Sequence, residues 1–240
     1  MTIFILVHGS WHGGWCWDGV ATLLRGSGHV VHAPDLVGLG DDGTDLAGVT
    51  LATWRDQIVA LVDAADEPVV LVGHSRGGIV ISAVAEARSD RIARLVYVAA
   101  FLLRDGESIS RTMRADGSSL ILPNLVVFED GVSSIMRSEA LAETFYGDCT
   151  PEEVAAAAAR LRPEPVLPNR TPAQVSDERF GRVRRAYIAT TLDRAVPPAL
   201  QRRMYTALPC DPVITMDTAH SPFLSAPATL ALHLAMLATG

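Results

Sequence analysis

Val69-Val70-Leu71-Val72-Gly73-His74-Ser75-Arg76-Gly77-Gly78 puts an unbroken apolar run, a serine between glycines and the start of a helical stretch into ten residues. A strand solvated on one face alternates apolar and polar residues; a continuous apolar run belongs to a strand covered on both faces of a parallel sheet. From Ile79 to Ala87 the spacing is helical. The serine therefore sits on a sharp strand-to-helix turn, where the backbone is strained and the positions two before and two after must be small for it to close. Gly73 and Gly77 meet that need. Such a turn thrusts Ser75 above the sheet, and the amides and dipole of the following helix favour negative charge developing beside it.

Similar apolar runs recur at 3–7, 29–33, 95–100, 186–190 and 213–216, separated by helical patterns at 17–25, 51–63, 198–208 and 226–237. This alternation specifies an α/β fold wound with right-handed crossovers. It is interrupted between about 103 and 179, a span too long for a loop, so the expectation is an α/β core from 1–102 and 180–240 carrying an inserted cap at 103–179. Thr150-Pro151-Glu152-Glu153 supplies an N-cap, a proline at the first helical position and a glutamate three residues after the cap, so the insertion is at least partly helical. Pro163, Pro165, Pro168 and Pro172 then suggest an extended strap returning to the sheet.

The chain has 240 residues, 49% of them hydrophobic and 20% charged. A chain of this size buries about 70% of its unfolded surface, leaving roughly 10,000 Å² exposed, enough for an enzyme-sized core without disulfide staples. No apolar run approaches the ~18 residues of a membrane span, and the first residues read as a strand rather than a signal peptide. A net charge of −7 disfavours nucleic acid and anionic lipid and leaves small neutral or apolar ligands. All 20 basic residues are arginine, which excludes lysine Schiff-base chemistry. Cys16, Cys149 and Cys210 form neither a disulfide framework nor a metal motif, and a reducing cytoplasm is the expected location.

A serine hydroxyl needs a histidine base, itself oriented by a carboxylate, and on this architecture the chain order is serine, acid, histidine. Of the seven histidines, His220 lies just past the 213–216 strand and is the expected base, whereas His233 falls on an apolar helix. Asp193, at the carboxyl end of the 186–190 strand, is the first choice of acid, with Asp217 and Asp105 as rivals. The first strand runs into His8-Gly9-Ser10-Trp11-His12-Gly13-Gly14, so the amides of Ser10 and Arg76 are expected to form an oxyanion hole. His8 and His12 stand four apart, but that spacing brings ligands together on a helix, not on a segment leaving a strand into glycines, so no metal is expected.

The segments HGSWHGGWCW, GHSRGG, YGDCTPEEV, ERFGRVRRAYI with LDRAVP, and AHSPFLSAP together resemble the α/β-hydrolase superfamily, within it the plant-type methylesterase and hydroxynitrile lyase branch and its bacterial relatives. The resemblance implies an esterase with a helical cap over an apolar acyl pocket, no cofactor, and often a homodimer. It places nucleophile, acid and base on Ser75, Asp193 and His220 and the oxyanion amides on Ser10 and Arg76, as the residues themselves do. Two departures stand out. Arg76 occupies a usually apolar position and is expected to pair with a cap or core carboxylate. Ser221 follows the base, where the lyases place a lysine. Trp11, His12 and Phe223 are candidate pocket walls. The expected function is hydrolysis of small, largely apolar carboxylic esters through an acyl-enzyme, with cyanohydrin cleavage and a ligand receptor retaining the triad as alternatives.

Overall fold

The computed structural model describes residues 1–238. In chain order its strands are β1 (Ile3–Val7), β2 (Val30–His32), β3 (Val69–His74), β4 (Ile92–Val98), β5 (Leu125–Val127), β6 (Ser133–Met136), β7 (Glu164–Pro165), β8 (Arg185–Thr190) and β9 (Val213–Met216). The α-helices are α1 (Asp18–Gly26), α2 (Leu51–Ala64), α3 (Gly77–Ala87), α4 (Ile109–Asp116), α5 (Ile121–Asn124), α6 (Leu141–Phe145), α7 (Pro151–Arg160), α8 (Leu167–Arg170), α9 (Pro198–Ala207), α10 (Pro222–Ser225) and α11 (Pro227–Ala238). Six strands form one sheet in the order β2-β1-β3-β4-β8-β9, every neighbouring pair parallel.

Because successive strand residues point to opposite faces, each strand feeds two cores. Ile5, Val7, Leu71, Leu95 and Tyr187 pack with α2, α3 and α9 through Trp54, Ile58, Val84 and Met204. Phe4, Leu6, Val70, Val96 and Ile188 pack with Trp17 of the turn before α1, with Leu24 of α1, and with Leu230 and Leu234 of α11. Burial on both faces is why these strands are continuously apolar. The accessible surface is 10091 Å², as the chain length requires. Among the described residues no helix is long and apolar enough to cross a membrane.

Between β4 and β8 the chain leaves the sheet and builds α4 to α8 together with a separate antiparallel sheet ordered β5-β6-β7. The sequence predicts a helix entered at Pro151 with helix formers through Leu161; it ends one residue earlier, at Arg160, and Thr150 and Glu153 exchange the two hydrogen bonds of its capping box, at 2.8 and 3.3 Å. The sequence does not predict the small sheet. Strands of three, four and two residues are too short to display a period, and β7 ends in Pro165, which only an outer strand tolerates.

The turn from β3 to α3 fixes the position of Ser75. Its φ is +52°, its N–H donates to the Val98 carbonyl at 3.2 Å, and its own carbonyl accepts from the Phe101 amide at 3.0 Å. A Cβ on Gly73 would stand 2.8 Å from the Gly77 carbonyl carbon, and one on Gly77 would stand 2.6 Å from the Val7 carbonyl oxygen. Both obstacles are backbone, so neither gives way cheaply. Gly77→Ala is expected to destabilise the protein by about 1–3 kcal/mol, the usual range for overpacking. An unchanged urea midpoint would show that the crowding does not constrain the turn.

Candidate active site

His220 lies between β9 and α10, and Asp193 follows β8. Both are buried, and His220 Nδ1 stands 2.7 Å from Asp193 Oδ2. With a carboxylate as acceptor, Nδ1 carries the proton and Nε2 keeps its lone pair. Four further donors hold the carboxyl group in place. The amides of Ala195 and Val196 donate to Oδ1, each at 2.8 Å, while Thr190 Oγ1 and Gln201 Nε2 donate to Oδ2 at 3.0 and 3.1 Å. The rivals are placed differently. Asp217 is exposed and accepts from Thr191 Oγ1, and Asp105 is exposed and accepts from the Val175 amide.

Among the hydrogen bonds of the described residues none joins Ser75 Oγ to His220 Nε2, a bond that commonly tightens only around substrate. The two residues are brought together through His74. Its Nε2–H donates to the His220 carbonyl at 2.8 Å, and the two rings lie 4.6 Å apart.

The loop after β1 is fastened residue by residue. The Gly9 carbonyl accepts from His8 Nδ1–H at 2.9 Å and from Arg76 Nη2 at 2.8 Å. The Ser10 carbonyl accepts from His12 Nδ1–H at 2.7 Å, and His12 Nε2 in turn accepts from the Tyr146 hydroxyl at 2.8 Å. Trp11, at φ +61°, donates its amide to Glu164 Oε2 at 3.3 Å and its indole N–H to the Ser134 carbonyl at 3.0 Å. Among the described residues the amides of Ser10 and Arg76 have no protein acceptor.

Arg76 pairs with a carboxylate of the inserted segment, Glu164 of β7, and both side chains are buried. Nε lies 3.3 Å from Glu164 Oε2 without the alignment of a hydrogen bond, and the guanidinium sits 4.0 Å over the Trp54 ring. Asn169 Nδ2 and the Ser10 hydroxyl complete the donors to Glu164. Burial lowers Arg76 to about 10 and raises the Glu164 carboxyl, and each partner partly offsets the shift of the other.

Ser75 opens into a cavity of about 120 Å³ with Trp11, Phe101, Ile109, Met113 and Ile121 among its apolar walls and Ser10, Asn169, Arg114 and Arg170 among its polar ones. A dry cavity of roughly 150 Å³ holds a benzene molecule, so this space suits an acyl or aryl group of about six heavy atoms. Two of the three expected pocket residues do not belong to it. His12 is engaged beneath the loop by Ser10 and Tyr146, and Phe223 packs edge-on against His74 and tilted against Trp17. Burial also pushes the thiols upward, those of Cys149 and Cys210 to about 12, so neither offers a thiolate at neutral pH. Glu164, His74 and Gln201 join the site without having been expected there. Only His74 carried a signal, its place beside the serine.

The alpha/beta hydrolase family model matches residues 4–232. The chain is 32% identical over 251 residues to methyl jasmonate esterase 1 of Vitis vinifera, an alignment covering 96% of this chain and 94% of that one. Two chloroplastic Arabidopsis thaliana proteins bearing the methylesterase name are each 31% identical, and the chain spans only 54% and 61% of their lengths. The crystal structure of a pyrethroid hydrolase from Sphingobium faniae JZ-2 superposes with a TM-score of 0.88 at 30% identity, covering 100% of this chain and 98% of that one.

Burial holds the imidazoles of His8 and His74 well below their ordinary value and lowers His12 to about 4. Between about pH 6.5 and 4 the unfolded chain therefore binds protons that the folded protein refuses, so stability rises with pH across this window and is lost as pH falls. Glu164, raised in the folded state, acts with the opposite sign but is one group against three. Urea unfolding should show a loss on the order of a few kcal/mol from pH 7 to pH 4.5, and His12→Gln should shallow the slope. A flat profile would contradict this account.

Proposed function

The chain belongs to the alpha/beta hydrolase family, and from that premise we propose that it is a serine hydrolase of carboxylic esters. The observation that carries the reading is a serine held at positive φ on the β3–α3 turn and, through its neighbour His74, tied to a buried histidine whose Nδ1–H is locked to a five-donor carboxyl group. Ser75 Oγ attacks the ester carbonyl carbon while its proton passes to His220 Nε2. The carbonyl oxygen, now negative, takes the amides of Ser10 and Arg76. The bond to the alkoxy group then breaks, the leaving oxygen receives the proton from His220, and an acyl-Ser75 remains. Water repeats the sequence: His220 takes its proton, its oxygen attacks the acyl carbon, and Ser75 leaves with the proton returned. Asp193 holds the imidazole in the productive tautomer and stabilises its charged form.

The cavity supports small, largely apolar esters, the relatives named methyl jasmonate esterase and pyrethroid hydrolase support hydrolysis as the reaction, and the segment at 103–179 acts as the cap that selects the substrate. Cyanohydrin cleavage is not favoured. The chain has no lysine to meet departing cyanide, and Ser221 offers only a neutral, buried hydroxyl in that place. Three free cysteines accord with a reducing cytoplasm, and the family resemblance with a homodimer.

Turnover of p-nitrophenyl and methyl aryl esters is the direct test. Ser75→Ala and His220→Ala should each lower kcat on the order of 10³-fold or more, and Asp193→Asn roughly 10²- to 10⁴-fold with little change in KM. Asp217→Asn should be mild. Near-normal turnover in Ser75→Ala, or Ser75-dependent cyanide release without ester hydrolysis, would sink the proposal, and tight binding without turnover would favour a receptor.

A further inference from the structure

Arg76 contributes only its main-chain N–H to the proton transfers and charge stabilisation set out above, yet its side chain is among the largest fully buried ones. We propose that the Arg76–Glu164 pair is the positioning device of the oxyanion hole, its guanidinium fixing and polarising the Gly9–Ser10 peptide whose N–H is one of the two donors. The inference rests on the hydrolase reading and concerns how the hole is built.

The geometry is that of a single peptide plane. Gly9 C=O and Ser10 N–H belong to the same planar trans unit and point in opposite directions, so whatever holds the oxygen aims the hydrogen. The oxygen is held by His8 Nδ1–H at 2.9 Å and Arg76 Nη2 at 2.8 Å. The second of these donors is a cation, and a charge-assisted bond at the carbonyl makes the N–H across the same amide a stronger donor. Arg76 thus supplies one donor of the hole from its own backbone and sets the other with its side chain. Two residues of a loop and a turn are brought into register by one arginine.

Glu164 keeps that arginine where it is. Its carboxylate lies 3.3 Å from Arg76 Nε, accepts from the Trp11 amide at 3.3 Å and takes the Ser10 hydroxyl, so it grips the loop on the far side of Ser10 as well. Asn169 Nδ2 at 2.8 Å fixes the other carboxylate oxygen. Stability alone is a poor reason for such an arrangement, because well-packed apolar residues of similar volume do as well as a buried ion pair or better. Directional donors on Gly9 and acceptors for Trp11 are what apolar residues cannot supply.

The test uses the double variant Arg76→Met with Glu164→Gln, which keeps both main-chain amides and leaves no lone buried charge, alongside Arg76→Lys, which keeps the charge but lacks the fork that reaches Gly9 and Glu164 together. Removing a whole oxyanion donor costs about 10²- to 10³-fold in kcat, so misaiming one should cost roughly 10- to 100-fold in both variants, with KM nearly unchanged. Affinity for an aryl trifluoromethyl ketone, whose adduct with Ser75 places an oxyanion in the hole, should fall in step with kcat/KM. Affinity for the corresponding alcohol, which forms no adduct, should not. A merely structural pair predicts instead a lowered urea midpoint with kcat and ketone affinity of the folded fraction intact, which overturns the proposal. If the double variant does not fold, Arg76→Lys carries the same comparison. Ser75→Ala is run in parallel: if it retains turnover, the hydrolase reading falls and takes this inference with it. If turnover depends on Ser75 and is unchanged in the Arg76 variants, the positioning role alone falls.

Discussion

Backbone crowding at the turn between β3 and α3 is the constraint on which the rest of the molecule depends. Within a few residues the chain must leave a buried strand, pass through positive φ at Ser75 and enter a helix that lies against β1 and the end of β4. That approach is possible only because Gly77 lies against the Val7 carbonyl and Gly78 against the Phe101 carbonyl, with no side chain between them. In return the turn is hydrogen-bonded to the Val98 and Phe101 backbone, so its strained serine is over-determined by the sheet. The loops that follow β1, β8 and β9 then meet above the carboxyl edge of one sheet, where Gly9, Asp193 and His220 surround the turn.

Around this point the protein spends its polar groups on fixing other polar groups. His8, His12 and His74 are buried neutral imidazoles, and each donates to a main-chain carbonyl of the loop after β1 or of His220. A neutral imidazole suits that purpose: one nitrogen donates and the other accepts without a charge to desolvate. His8 and His12 use both nitrogens, toward Leu36 and Tyr146, whereas the Nδ1 of His74 is left without a partner. An unpaired acceptor is a smaller penalty than an unpaired charge, which explains why the residue next to the serine can be a histidine at all.

The alternation of strands and helices along the chain, and the places of Ser75, Asp193 and His220 just past strand ends, were legible from sequence because each depends on local pattern. Continuous apolar runs at 3–7 and 213–216 coincide with β1 and β9, and the capping box at Thr150 marks the start of α7. The small antiparallel sheet was not legible, since two to four residues carry no period, although Asp130-Gly131 is a hairpin signal of the kind that reveals short strands. That Arg76 would find a carboxylate followed from the cost of burying a cation. Which carboxylate depended on a fold-back of the insertion that no local pattern encodes. For the same reason His12 and Phe223 read as cavity walls when both lie in a packed aromatic layer below it.

The insertion leaves the sheet after β4 and returns on its direct neighbour β8, with the Ala99 amide already bonded to the Ile188 carbonyl at 2.9 Å. From the standpoint of the sheet it is one loop, and loop-closure entropy grows so slowly that doubling its length costs only about 0.6 kcal/mol. Such an excursion is free to diverge among descendants of a common core, and its ion pair to residue 76 marks where that freedom ends. A foreign segment exchanged for 103–179 would leave the guanidinium at 76 enclosed without its counter-charge unless it brought a carboxylate to the place of Glu164.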